Sequence, residues 1–310
     1  MHILQDFIHA FLCHCEFERN FSPHTVKAYR LDLAQFARFV SAQSPATEGV
    51  GLQRAVIREY VRTLHHRKPR TQRRKLATVK SFFAYLEREG CIDSNPLRNV
   101  RFDIRIGRVL PRTMSFAALQ TFFQQLYRRT GRSSDLALRD VALFELLFSS
   151  GMRVSEISNL RVTAVDLERG AVLIRGKGNK ERLIPICDRD VRSALIAYSA
   201  NQSSTRTLDG YFFTNRFGRR LSEQSIRMAL KRHAKGAGLE KITPHVFRHT
   251  VATMLLEQGV DLRFIQTFLG HSSIVTTTIY AHVNDKSQRE ILNNRHPRRL
   301  FGCLLGPTLK

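Results

Sequence analysis

Apolar residues recur every three or four positions through most of the chain. The runs they mark are divided by short polar stretches bearing glycine or proline. Ser22-Pro23 reads as a helix start, serine as N-cap and proline as first helical residue. Val26, Tyr29, Leu33, Phe36 and Val40 then define one apolar helix face. Leu76, Val79, Phe82, Phe83 and Leu86 repeat the pattern in a second long helix, from near Pro69 to Gly90. Its other face carries Arg70, Arg73, Arg74, Lys75 and Lys80, and a shorter helix over Ala55–Leu64 adds Arg54, Arg58 and Arg62. The N-terminus is apolar but broken by Asp6, His9 and His14, which predicts an amphipathic helix rather than a cleaved leader. The pattern predicts a helical bundle with a basic surface over residues 1–98.

Asn95-Pro96 stops the bundle, and Asn99–Arg112 runs on, basic and without helical period, as a linker. Residues 113–310 then read as a second domain. Helices are predicted over Ser115–Arg129, Leu136–Ser149 and Val154–Leu160, the last after Gly151. Ala171–Arg175 and Glu181–Ile186 read as two strands joined by a Gly176–Lys180 hairpin loop. Further helices are expected near Asp190–Ser199, Ser222–Ala237, Pro244–Glu257, Leu262–Phe268 and Ile274–Ala281. A helix near Lys286–Asn294 precedes a basic tail. The fold class is mostly α with a small antiparallel β-sheet, α+β, an N-terminal bundle followed by a larger domain.

Composition changes this picture in one respect. Fifty Lys plus Arg face 26 Asp plus Glu in 310 residues, a net charge of +24. Such an excess speaks to partners rather than fold. Nucleic acid fits best, since each phosphate contact releases condensed counterions. The charge is spread from Arg54 to Arg299, as in a protein that wraps its ligand, and a basic linker between two basic domains suits a clamp around a duplex. No apolar run reaches the ~18–20 residues that cross a membrane, so the chain is expected in the cytoplasm. Its five cysteines are scattered, with no disulfide framework. Cys13-His14-Cys15 has the wrong spacing for zinc, so no metal is expected. Gly176-Lys177-Gly178 lacks the pattern of a nucleotide-binding loop, so no cofactor is expected either.

Candidate chemistry sits in five short segments, each ordinary when taken alone. Arg153 follows a glycine turn, and Glu156 one turn on can orient it or cap nearby amides; a surface ion pair is the plainer reading. Lys177 lies between glycines that let backbone approach a ligand, or merely form a surface turn. His245 and Arg248 project three residues apart from the start of a helix capped by Thr243 and Pro244. His271 follows Gly270, a helix C-cap. Tyr280 is one of seven tyrosines, most of which belong to cores in any protein.

Together, and in this order, the segments resemble the tyrosine recombinase (phage integrase) family, and its Xer-type members in particular. The matching stretches are Ser150–Glu156, Gly176–Arg182, His245–His249 with Ala252-Thr253, Leu269–Ser272 and Thr276–Val283. They cover the C-terminal half; over the N-terminal half the likeness is looser. Ser150 stands where the family often has Thr, and Phe247 where it often has Leu. The resemblance implies that residues 1–98 form the core-binding, SAM-like DNA-binding domain and 113–310 the catalytic domain. It implies a 3′-phosphotyrosyl link on Tyr280 and phosphate contacts from Arg153, Arg248 and His271. His245 is then the base and Lys177 the acid. It further implies short inverted core sites on double-stranded DNA and a Holliday junction. The assembly would be a homotetramer on two sites, or a heterotetramer with a related recombinase, with the helix near Lys286–Asn294 contacting a neighbour. The outcome would be integration, excision, inversion or resolution. Two other readings share these residues, a type IB topoisomerase-like nicking-closing enzyme and a non-catalytic DNA-binding protein.

Overall fold

The computed structural model describes residues 2–43, 54–100, 102, 104, 105, 107, 112–128, 135–176, 181–202, 209–240, 242–270 and 285–301. The chain divides into two compact units, Met1–Val109 and Leu110–Lys310.

In the first unit α1 (His2–Cys13) runs into a π-helical turn, His14–Glu18, and is followed by α2 (Pro23–Gln43), α3 (Arg54–Thr63) and α4 (Pro69–Arg88). Ser22 caps α2 by accepting from the Thr25 amide at 3.3 Å. The periodic residues converge as expected: Leu33, Phe36, Val79, Phe82, Phe83 and Leu86 are wholly buried with Tyr60 of α3. Val100, Phe102 and Ile104, alternate residues of the segment read as a linker, also pack on this core.

The basic face of α4 departs from expectation at one position. Lys75 is buried rather than outward, its Nζ bonding Asp32 Oδ1 at 2.8 Å and Gln35 Oε1 at 2.6 Å. Arg74 pairs with the same Asp32 carboxylate, and Thr78 donates to it at 3.2 Å. A carboxylate as buried as Asp32 needs paired donors, so it draws Lys75 inward while Arg74 reaches it from the surface. Arg70, Arg73 and Lys80 stay exposed.

The second unit comprises α5 (Phe116–Arg128), α6 (Asp135–Ser150), α7 (Val154–Ser158), β1 (Val165–Asp166), β2 (Ala171–Arg175), β3 (Glu181–Pro185), α8 (Arg189–Gln202), α9 (Glu223–Gly236), α10 (Pro244–Glu257), α11 (Leu262–Leu269) and α12 (Asp285–Arg295), then a 3-10 turn, Pro297–Phe301. The strands form one antiparallel sheet in the order β1-β2-β3, with Val172 opposite both Val165 and Ile184. β1 has two residues, too few to display alternation, and was not expected from the sequence. The predicted helix over Ile274–Ala281 falls outside the described residues.

Helix α6 is buried from Arg139 to Phe148 and organises this core. Its Phe144 and Phe148 pack with Phe122, Phe123 and Phe247, and the Phe122 and Phe247 rings meet edge to face at 5.2 Å. Phe247, standing where the family often has Leu, thus anchors α10 directly beside Arg248.

The segment read as a basic tail belongs in part to the core, a second correction. Arg298 is completely buried, with Nε donating to Glu145 Oε2 at 2.7 Å and Nη2 to Glu145 Oε1 at 2.9 Å. Asp190 and Tyr127 complete the network: Arg298 Nη2 reaches Asp190 at 3.3 Å and the Tyr127 hydroxyl donates to Glu145 at 2.7 Å. Phe301 stacks on Phe116 at 5.0 Å. A charge in the sequence marks a surface only if no buried partner claims it.

Replacing Arg298 with Met strands the Glu145 carboxylate in the core, a change that costs about 3–5 kcal/mol. At ~2–4 °C per kcal/mol for a unit of this size, calorimetry should show melting about 10 °C lower. The Glu145→Leu, Arg298→Met pair should recover part of that loss.

Candidate functional site

The site is built on the end of α11. Asp261 starts this helix, its carboxylate accepting from the Arg263 and Phe264 amides at 2.8 and 3.2 Å. Gly270 ends it in the left-handed region, φ 69° and ψ 50°. A helix end leaves carbonyls without intrahelical partners and carries partial negative charge. Three arginines from three other elements satisfy three successive carbonyls here. Arg182 of β3 donates from Nε to Phe268 O at 3.1 Å, and Arg248 of α10 from Nη2 to Leu269 O at 2.6 Å. Arg153, the N-cap of α7, donates from Nη2 to Gly270 O at 2.7 Å.

Gly270 is required twice. Its φ suits glycine, and a Cβ there would stand 2.9 Å from Arg182 Nη1. Gly151 answers to the same two constraints. It has φ 57°, and a Cβ would fall 2.4 Å from a Leu269 methyl. Its carbonyl accepts from Arg248 Nη1 at 2.7 Å. Ser150, standing where the family often has Thr, donates to Leu146 O one turn back in α6 and accepts from the Met152 amide at 3.3 Å. It shapes the turn from α6 into Arg153.

Glu156 binds the arginines to one another. Its Oε1 accepts from Arg153 Nη1 at 2.8 Å and Arg182 Nη1 at 3.0 Å. Its Oε2 accepts from the Arg153 amide and Arg182 Nη2, both at 2.8 Å. The sequence offered Glu156 as orienter of Arg153 or amide cap; it is both, and buried. Burial alone would raise this carboxyl, but the bonds from Arg182 and then Arg153 outweigh it and hold it below the usual carboxylate range. Arg182 was missed as a site residue. Its only signal was a place in a matching stretch, and strand alternation does not say which cation a buried carboxylate recruits.

Arg248 is itself buried, 7% exposed. Burial and then the field of Arg153 push its pKa down to about 10, still charged at neutral pH. Thr243 caps α10 by accepting from the Val246 amide at 3.3 Å. One helical turn earlier than Arg248, His245 is exposed. Burial of part of its ring, then the fields of His249 and Arg248, lower its pKa. Arg227 of α9 contributes to the same field, and α9 also exposes Lys231 and Lys235.

The structure therefore brings together Arg153 and Arg248, adds Arg182 and Glu156, and sets His245 within their field. Lys177, His271 and Tyr280 lie outside the described residues. Among those described, the cluster combines three guanidinium groups with one carboxylate. It is an excess of positive charge in a partly dry site, with donors arranged for the oxygens of an anion such as phosphate. Among the described residues no helix is long and apolar enough to cross a membrane.

Residues 117–287 match the phage integrase family, and residues 8–90 match the phage integrase N-terminal SAM-like domain. A tyrosine recombinase of Agathobacter rectalis is 38% identical, covering 97% of this chain and 99% of its own. Tyrosine recombinase XerC of Thermodesulfovibrio yellowstonii is also 38% identical, over 94% of this chain and 97% of its own. In fold the chain is similar to the XerH site-specific recombinase in its post-cleavage complex with a palindromic difH substrate. The TM-score is 0.68 at 23% identity, covering 92% of this chain and 80% of the other.

Glu156 yields a signed test. A carboxyl with a depressed folded pKa stabilises the protein above its unfolded value, about 4.3. That contribution is lost as pH falls through the folded value. Glu156→Gln, which leaves two guanidinium groups without their anion, should cost about 3 kcal/mol at pH 7. In urea titrations the gap between wild type and variant should narrow as pH drops below about 4. A gap independent of pH would contradict the assignment.

Proposed function

The chain belongs to the phage integrase family and is a tyrosine site-specific recombinase; we propose that it cleaves and rejoins DNA through a 3′-phosphotyrosyl intermediate on Tyr280. The observation that carries this reading is the capping of three consecutive carbonyls by Arg182, Arg248 and Arg153, immediately before His271. It supports the reading because it gathers three guanidinium groups on the residues that lead into His271.

In this reading the scissile phosphate sits against Arg153 and Arg248, whose paired N–H donors meet its non-bridging oxygens. They stabilise the charge that grows in the pentavalent transition state. Arg182 and Glu156 are positioning residues, and His271 adds a further hydrogen bond. The Tyr280 oxygen attacks phosphorus as the bond to the 5′ oxygen breaks. A free phenol ionises near pKa 10, so His245 takes its proton and Lys177 protonates the departing 5′ oxygen. The lowered pKa of His245 keeps the imidazole neutral and able to accept a proton at neutral pH. The covalent link retains the energy of the broken bond, so resealing is the reverse transesterification.

The substrate is double-stranded DNA with short inverted core sites, exchanged through a Holliday junction. Four protomers act on two sites, as a homotetramer or with a related recombinase, in the cytoplasm where that DNA lies. The protomer contacts use α12. Leu292 holds this helix in its own core while Glu290, Asn293 and Asn294 face outward.

A nicked suicide duplex bearing the inverted repeats beside the gene tests the reading. Wild type should form a covalent adduct and Tyr280→Phe none, with binding retained. Arg153→Ala or Arg248→Ala should slow adduct formation by about a hundredfold or more. Supercoil relaxation without recombinant product would make the enzyme a topoisomerase instead. No adduct at all from wild type would leave a DNA-binding protein.

The pH dependence rests on His245. Its neutral form is the active one and its pKa is lowered, so the acid limb of single-turnover cleavage should lie below about pH 6.5, the ordinary histidine value. A limb above that value would remove His245 from the role of base.

A further inference from the structure

Residues Asn215–Arg220 form a tight turn that the chemistry above does not use. At its base Thr214 bridges Arg220. The Asn215 amide donates to Arg219 O at 2.8 Å and the Gly218 amide to Asn215 O at 3.0 Å. The Asn215 side-chain oxygen accepts from the amides of Phe217 and Arg219 at 2.9 and 3.2 Å. Gly218 has φ 71°, which closes the turn. Below it the Ser158 hydroxyl donates to Leu221 O at 2.7 Å, and Phe212 and Phe213 are buried. The turn is thus held from within and seated on the core.

Its tip is an exposed aromatic ring among cations. Phe217 is 64% exposed, with the Arg216 guanidinium 4.6 Å from its ring centre. Arg219 and Arg220 are exposed beside it. Arg161 lies over Tyr211 at 3.8 Å, and Arg220 donates to Asn159 at 2.5 Å. Among the described residues no carboxylate pairs with these four arginines. The turn is linked to the arginine cluster through one short helix. Asn159 ends the short helix that Arg153 begins, six residues or about 9 Å along at 1.5 Å per residue. At ~3.4 Å per nucleotide of one strand, Asn159, the residue that the Arg220 side chain touches, is a few nucleotides along from Arg153.

We propose that the Asn215–Arg220 turn is a DNA-contacting prong, its arginines on the phosphates flanking one groove and the Phe217 ring packed against bases within it. The proposal rests on the reading of the chain as a DNA recombinase. Rigid placement fits insertion, because ordering the loop costs little at the moment of binding. Apolar side chains flanked by cations are used elsewhere as wedges at base steps, and stacking tolerates any sequence. A second copy of this chain is the poorer partner, since it brings a net charge of +24 to a cluster of arginines.

The chain contains no tryptophan, so Phe217→Trp installs a single reporter at the tip. Its emission is followed while the full-length protein is titrated with a fluorescein-labelled mixed-sequence duplex, and anisotropy reports binding in parallel. The prong predicts strong quenching of the tryptophan at DNA saturation. Phe217→Ala should bind about tenfold more weakly with its salt dependence unchanged. Arg219→Gln should lower the slope of log affinity against log salt by about one. Unchanged emission at saturation, with Phe217→Ala binding like wild type, overturns the prong and leaves the recombinase reading intact. Emission that changes with protein concentration in the absence of DNA makes the tip a contact between copies and also overturns it. An absence of DNA binding by wild type overturns the recombinase reading and the prong together.

Discussion

Everything at the site depends on how one short helix ends. The carbonyls of Phe268, Leu269 and Gly270, at the end of α11, look to other elements for donors, and Gly270 ends the helix in the left-handed region. Arg182, Arg248 and Arg153 arrive from a strand, a helix and a helix N-cap to satisfy them in sequence order. An unmet carbonyl costs desolvation, and an unmet guanidinium costs more. Each arginine is therefore fixed by the backbone before any substrate arrives. Lysine would not serve: it lacks the planar fork that lets Arg153 reach Gly270 O and Glu156 at once.

Like charges brought this close repel, and one carboxylate keeps them in place. Glu156 accepts four hydrogen bonds, two from each of Arg153 and Arg182. It neutralises one cation of three and leaves the rest of the charge for a ligand. The depressed pKa of Arg248 records the same imbalance, since burial and the Arg153 charge both oppose its protonated form. A phosphate entering the cluster, as proposed, would relieve that opposition. It would be held by groups that need not reorganise, which is the condition under which electrostatic stabilisation of a transition state is strongest.

The sequence made the elements legible because periodicity is local. Val26 to Val40, Leu76 to Leu86 and the Thr243-Pro244 and Gly270 signals each lie within a few residues of the structure they specify. It made Arg153, His245 and Arg248 legible as candidates through the order of short motifs. What it hid was pairing across distance. Asp32 takes Lys75 out of a face read as basic, and Glu145 takes Arg298 out of a segment read as a tail, over separations of 43 and 153 residues. Arg182 was hidden for the same reason: Glu156 is 26 residues away. In a chain with so many cations, charge alone does not say which of them a few buried carboxylates will claim.

The same long-range pairing sets the frame for Tyr280, the proposed nucleophile. On its N-terminal side lies Gly270, whose carbonyl is held by Arg153. On its C-terminal side α12 is held by Leu292 in the core, by Arg289 O accepting from Cys187 Sγ at 3.8 Å, and by Arg295 donating to Gly259 O at 2.8 Å. The buried Arg298 fixes the 3-10 turn beyond that helix. The segment that carries Tyr280 is thus bracketed by two anchors of different kinds. The first is the arginine cluster itself; the second is a helix that exposes Glu290, Asn293 and Asn294. The arginines proposed to hold the phosphate are thus fixed by bonds to residues that precede that segment.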